Sequence, residues 1–206
     1  MDLIELKGIT KKYSDGDGPE RLVLKDLDLR VAQGEFLAVT GPSGSGKTTL
    51  LGIIGSLVPP DAGTCRREGK AGFLFQEPRL LPQLTVLQNI LVPALADRET
   101  APPETVEYAL ELLEFTGIRA LADRYPERIS GGEASRAALC RALVMRPAVL
   151  LADEPTGQLD RENALKIAAL LKRVSAGYGT TVVMVTHDPA VAAAADRTFA
   201  LDSIDG

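Results

Sequence analysis

Apolar and polar side chains alternate from Leu3 to Ile9 and again from Leu22 to Val31, where Leu22, Leu24, Leu27, Leu29 and Val31 slip once in phase near Lys25-Asp26. A period of two predicts half-buried antiparallel strands. Between them Ser14-Asp15-Gly16-Asp17-Gly18-Pro19 is turn-rich, with Tyr13 just ahead of it. Shorter, mainly apolar runs at Glu35 to Thr40, Ala71 to Phe75, Val149 to Ala152 and Thr180 to Val185 predict buried strands. Helical spacing separates these runs, over Lys47 to Ser56, from Ser130 to Met145, and over 162–175. Pro102-Pro103 opens a further helical pattern, with Val106, Leu110, Leu113 and Ile118 roughly on one face and an end near Gly117. Residues 94–128 therefore read as a helical insertion. Pro59-Pro60-Asp61-Ala62-Gly63 breaks the chain and a short polar segment follows. The run Leu80, Leu81, Leu84, Leu87 and Leu91 reads as buried or partner-facing.

Chemistry enters this α/β pattern at Gly41-Pro42-Ser43-Gly44-Ser45-Gly46-Lys47-Thr48, which fits G-x-x-x-x-G-K-[ST] at every fixed position. A strand enters the loop and a helix leaves it. Three glycines let backbone N–H groups curl inward, and the positive end of the helix dipole adds to their pull on phosphate. Lys47 supplies a point charge for terminal phosphates and Thr48 a hydroxyl for Mg²⁺. A nucleotide site is expected here.

Other candidates stand at predicted strand ends. Gln76 closes one buried strand, where ligands bind in open α/β sheets. Asp153 and Glu154 close another; neighbouring side chains point to opposite faces, which suits a metal ligand beside a water activator. His187, the only histidine, follows a third. Ser130 and Glu133 have the S-x-x-E spacing of a capping box, which explains the serine and glutamate but not Gly131 and Gly132 between them.

Composition narrows the classes. The chain has 206 residues, 45% hydrophobic and 25% charged, which suits one globular domain with a large core. A net charge of −5 without a basic cluster argues against a nucleic-acid partner. Cys65 and Cys140 have neither metal-ligand spacing nor the density of a disulfide scaffold, and read as packing residues of a cytosolic protein. The N-terminus lacks a basic and apolar leader, and no apolar run approaches the ~20 residues of a membrane span. The chain is expected neither to cross nor to enter a membrane alone.

Taken together the phosphate loop, Ile129-Ser130-Gly131-Gly132-Glu133, Val149-Leu150-Leu151-Ala152-Asp153-Glu154-Pro155, Gly157-Gln158-Leu159-Asp160 and Thr186-His187-Asp188 resemble the nucleotide-binding subunit of ABC transporters, over almost the whole chain. The resemblance implies an α/β phosphate-loop NTPase of ABC type over 1–206, with a mostly parallel core sheet, an antiparallel β lobe, and a helical lobe inserted at about 77–146. It implies ATP and Mg²⁺ as ligands. Tyr13 would stack on adenine. Gly41, Pro42, Ser43, Gly44, Ser45, Gly46, Lys47, Thr48 and Thr49 would cradle the phosphates, and Thr48, Asp153 and Gln76 would serve the metal. Glu154 would polarise the attacking water, with His187, Gln76 and Lys47 as its catalytic partners. Asp160 would connect two nucleotide sites in a head-to-tail homodimer, where Ser130, Gly131 and Gly132 of one subunit touch the γ-phosphate held by the other. The resemblance also implies an integral membrane transporter subunit as partner, on the inner face of the cell membrane.

Two positions depart from the family pattern. Glu133 stands where glutamine is usual, and the connection from Gly63 to Gln76 is short, so the antiparallel lobe is expected to be trimmed. The run Asp153 to Asp160 with the Ser-Gly-Gly-Glu signature looks most like the branch serving lipoprotein release, macrolide-type efflux and cell-division complexes. The short connection and Gln76-Glu77-Pro78-Arg79-Leu80-Leu81-Pro82 look more like importers of small organic anions. A soluble ABC-type ATPase of DNA repair or translation would carry a coiled-coil insertion or a second cassette, and a small-molecule kinase would not need the Ser-Gly-Gly-Glu helix; the chain has neither insertion nor acceptor-site signature.

Overall fold

The alternating segments at the N-terminus form strand β1 (Asp2–Tyr13) and strand β2 (Arg21–Ala32), paired antiparallel with Glu5 opposite Arg30 and Tyr13 opposite Arg21. This is a computed structural model, and it describes residues 1–14, 20–96 and 99–203; most of the turn-rich stretch ahead of β2 lies outside the described residues. The phase slip near Asp26 is an irregularity of the ladder, where Leu27 faces Ile9 and Leu24 faces Lys11 and Asp26 takes φ +46°. An extra residue there keeps both leucines on the buried face.

Strand β3 (Phe36–Thr40) feeds the phosphate loop and helix α1 (Lys47–Ile54). Strand β4 (Ala62–Arg67), which the polar sequence does not announce, adds to the free side of β1 with Leu6 opposite Cys65. The antiparallel sheet is thus the short three-stranded order β2-β1-β4. Strand β5 (Ala71–Leu74) ends before Phe75, one residue earlier than its apolar run. Then come helix α2 (Val86–Leu91), helix α3 (Pro103–Phe115), helix α4 (Gly131–Leu143), strand β6 (Val149–Asp153), helix α5 (Arg161–Tyr178), strand β7 (Thr181–Val185), helix α6 (Pro189–Ala192) and strand β8 (Arg197–Ala200).

The second sheet is all parallel, in the order β5-β6-β7-β3-β8. Its strands alternate between two cores. Phe36, Ala38, Leu150, Ala152, Val182 and Met184 face the side packed by α3, α4 and α5, while Leu37, Val39, Val149, Leu151, Val183 and Val185 face α1 and the antiparallel sheet. Burial on both faces is why these strands read as unbroken apolar runs. Because β5, β6 and β7 are parallel neighbours, Gln76, Asp153, Glu154 and His187 are delivered to one edge of the sheet, beside the loop that leaves β3. Cys140 is fully buried, and burial pushes its thiol up to about 12; it is an inert packing residue, whereas Cys65 is half-buried.

Candidate functional site

The loop between β3 and α1 turns on glycines whose backbone excludes side chains. Gly41 has φ +151°, and a Cβ there would sit 2.2 Å from the Leu201 carbonyl oxygen; Gly46 caps α1 in the left-handed region at φ +95°. The first N–H groups of α1 therefore open onto the loop without a side-chain cap. Lys47 is only 7% exposed and folds back, its Nζ donating to the carbonyls of Gly41 (3.0 Å) and Pro42 (2.7 Å). The Ser45 hydroxyl is buried with no hydrogen-bond partner. A buried donor left unsatisfied inside a ring of amides fits an anion that completes it.

Asp153 and Glu154 diverge as the strand alternation predicts. Thr48 Oγ1 donates to Asp153 Oδ1 at 3.2 Å, and burial, only partly offset by that hydrogen bond, raises the Asp153 pKa above the usual carboxylate value. One hydroxyl and one under-compensated carboxylate are hard oxygen donors of the kind Mg²⁺ takes from a protein when waters and phosphate oxygens fill its other positions. Glu154 Oε2 instead meets His187 Nδ1 at 2.8 Å. The Glu154 backbone has φ +45°, the left-handed region, while its N–H still donates to the Val185 carbonyl of β7. The Gln76 amide lies against the next turn, since a Cβ on Gly157 would come within 2.9 Å of Gln76 Nε2.

Tyr13, Ser43, Gly44, Gly46, Lys47, Thr48, Thr49 and Glu154 line one cavity of about 330 Å³, with Arg21 and Val23 from β2. Tyr13 is 44% exposed at its mouth. The signature residues lie elsewhere. Ser130 caps α4 in the expected capping box, with Glu133 Oε2 accepting from both the Ser130 N–H (2.7 Å) and its hydroxyl (2.8 Å). Those bonds hold the Glu133 pKa below its usual value and turn its charge inward onto Ser130. Among the described residues no hydrogen bond joins Ser130, Gly131 or Gly132 to the phosphate loop, and none of them lines its cavity. Gly132 leaves room for the Asn163 amide, 3.0 Å from where a Cβ would stand, but nothing lies within 4 Å of the Cβ position of Gly131. Asp160 caps α5 and accepts from the Asn163 N–H and side chain, which keeps its carboxyl pKa low.

The ABC transporter family profile matches residues 24–157. The chain belongs to the ABC transporter family. Among its relatives, the lipoprotein-releasing system ATP-binding protein LolD of Bordetella pertussis is 43% identical, covering 97% of this chain and 93% of that one. The protein of the same name from Bacteroides fragilis is 39% identical, covering 99% of each. Among solved structures, the dimeric bacterial ABC transporter cassette MJ0796 matches with a TM-score of 0.83 at 38% identity, covering 97% of this chain and 94% of that one. The same cassette in a dimeric post-hydrolysis state bound to ADP and Pi gives 0.85 at 36% identity, covering 98% and 97%. The resemblance to the lipoprotein-release branch is thereby borne out, as is the ABC ATPase fold with its parallel and antiparallel sheets. The chain is an ABC-type ATP-binding subunit and an ATPase.

Two features of this ABC cassette escaped the motif reading. Arg21 reaches the cavity because β2 pairs in register with Tyr13, a placement that no local pattern signals. Arg141, on α4, sends its Nη1 and Nη2 to the carbonyls of Arg79 (2.8 Å) and Pro78 (2.6 Å), and burial lowers the guanidinium pKa. This fork ties the helix that begins at Ser130 to the segment that follows Gln76. Beside it runs a groove of about 600 Å³ whose apolar wall includes Phe73, Phe75, Leu81, Val92 and Met145.

Proposed function

We propose that this chain powers a lipoprotein-releasing membrane complex, closing as a head-to-tail dimer around two ATP molecules. The relatives' names support that cargo over a small organic anion. No helix among the described residues is long and apolar enough to cross a membrane, so this reading requires a membrane-embedded partner that holds the chain to the inner face. The observation that carries the dimer is Gly131. Neither its own backbone conformation nor its own neighbours require a glycine there, so the bare backbone is kept for something that approaches from outside the chain. A γ-phosphate held by a second copy would be that visitor.

In this reading Tyr13 stacks on the base and the loop from Gly41 to Thr49 holds the phosphates. Lys47 exchanges its two carbonyl partners for phosphate oxygens. Thr48 and Asp153 would hold Mg²⁺, with Gln76 nearby, and the bound ion would neutralise charge on the β- and γ-phosphate oxygens. Glu154 takes a proton from the attacking water as its oxygen bonds to the γ-phosphorus and the bond to the β-phosphate oxygen breaks, leaving ADP and phosphate. His187 orients the Glu154 carboxylate by donating from Nδ1. Asp160, next to Asn163 and Gly132, would carry the state of one site to the other.

The groove beside Arg141 is the surface for the membrane partner. The leucines of the run from Leu80 to Leu91 divide by burial. Leu80, Leu87 and Leu91 pack on the core, Leu84 is half-buried, and Leu81 is 44% exposed on the groove wall. Leu81→Asp is therefore expected to keep the melting temperature and basal ATPase of the isolated chain while losing partner binding and partner-stimulated turnover. A variant that unfolds would make Leu81 a core residue, and one that keeps full stimulation would remove this surface from the coupling path. Co-purification of the wild-type chain from detergent extract, with mass spectrometry of the bound membrane subunit, tests the cargo assignment directly.

A further inference from the structure

The cations of the strands that carry Tyr13 and Arg21, and those that line the nucleotide cavity, are not equivalent. Lys11 is tied to Asp61 at 2.9 Å and Lys12 to Glu20 at 2.8 Å. Lys47 is turned onto loop carbonyls. Arg21 is exposed and, among the described residues, has no carboxylate partner. It stands directly across the ladder from Tyr13, lines the same cavity as Lys47 and Thr48, and brings Nη2 to 3.4 Å from the Cβ position of Gly44. A guanidinium suspended over a phosphate-binding loop, beside the aromatic ring at its mouth, is a planar donor fork aimed at anionic oxygens.

We propose that Arg21 is a nucleotide-binding residue, whose guanidinium contacts the phosphate chain from the side opposite the loop amides. The proposal rests on the reading that this cavity holds ATP. Arg21 approaches from the Tyr13 side, whereas the reacting end of the nucleotide faces Glu154. Its contact is accordingly made equally in the ground state and the transition state, which lowers KM and leaves kcat alone. It also gives the site a second cation that does not depend on the loop's own conformation.

The test is calorimetric binding of ATP and ADP to the full chain, with steady-state ATPase kinetics, for wild type and for Arg21→Ala, Arg21→Gln and Arg21→Lys. Loss of one charge-assisted contact at an exposed site is expected to weaken both nucleotides about tenfold in the alanine and glutamine variants, with KM rising and kcat unchanged. The lysine variant is expected to recover part of the affinity, and the wild-type advantage is expected to shrink at high salt. Unchanged affinity in the alanine and glutamine variants would overturn the proposal. So would a loss that is equal in all three variants, insensitive to salt and accompanied by a lower melting temperature, since that marks a packing role. A wild-type chain that binds no ATP would instead remove the nucleotide site itself, an outcome separate from either of these.

Discussion

Glu154→Gln is expected to bind ATP as tightly as the wild type and to hydrolyse it about 10²–10⁴-fold more slowly, the usual cost of removing a general base. The amide keeps the size of the carboxylate and can still accept from His187, so the 2.8 Å contact and the turn that follows β6 survive. What disappears is the ability to take the proton of the attacking water. Asp153, one residue earlier, cannot substitute, because its side chain leaves the opposite face of the strand toward Thr48. With hydrolysis blocked, the ATP-bound form should accumulate as a dimer. Light scattering at saturating ATP and Mg²⁺ reads this directly. A variant that stays monomeric would count against a site shared between subunits, and unchanged phosphate release would count against Glu154 as the base.

Lys47→Ala is expected to lose turnover by about 10²–10³-fold, the effect of removing one electrostatic donor aimed at developing charge, together with much of the ATP affinity. Two roles vanish at once. The ammonium is the loop's own cation, and it also ties the Gly41 and Pro42 carbonyls to the start of α1. Arginine should not restore activity, because the side chain sits in a position only 7% exposed and a forked guanidinium does not fit where a compact ammonium bends back. Phosphate release and calorimetric ATP affinity measure the two losses separately. Wild-type turnover in the alanine variant would end the assignment of the phosphate loop.

The parts of this molecule legible in its sequence are those whose cause is local. Gly46 at a helix start, the Ser130–Glu133 box, and the alternation that sends Asp153 and Glu154 to different partners all follow from backbone geometry within a few residues. Strand β4 was not legible because it is an edge strand with only Cys65 and Arg67 half-buried, so its apolar period is nearly absent. Helix α2 is six residues long and owes its start to the Thr85–Gln88 capping box inside a leucine run that reads equally as packing or as a partner face. Arg21 and Arg141 are long-range placements. One depends on the register of a ladder across the turn-rich stretch, the other on which face α4 turns toward the segment after Gln76. No spacing rule within either segment encodes those distances.

In the proposed mechanism the left-handed backbone of Glu154 sets fold stability against activity at a single position. A side chain other than glycine or asparagine held at that φ costs about 1–2 kcal/mol. Drift toward either of those residues would relax the turn and make the folded chain more robust, yet it would take the proton acceptor out of the cleft. The same strain means that the carboxylate is aimed by the main chain as much as by its own rotamer. A population of such sequences would be expected to accumulate compensating stability elsewhere, in the two apolar cores that flank the parallel sheet, sooner than at the turn itself.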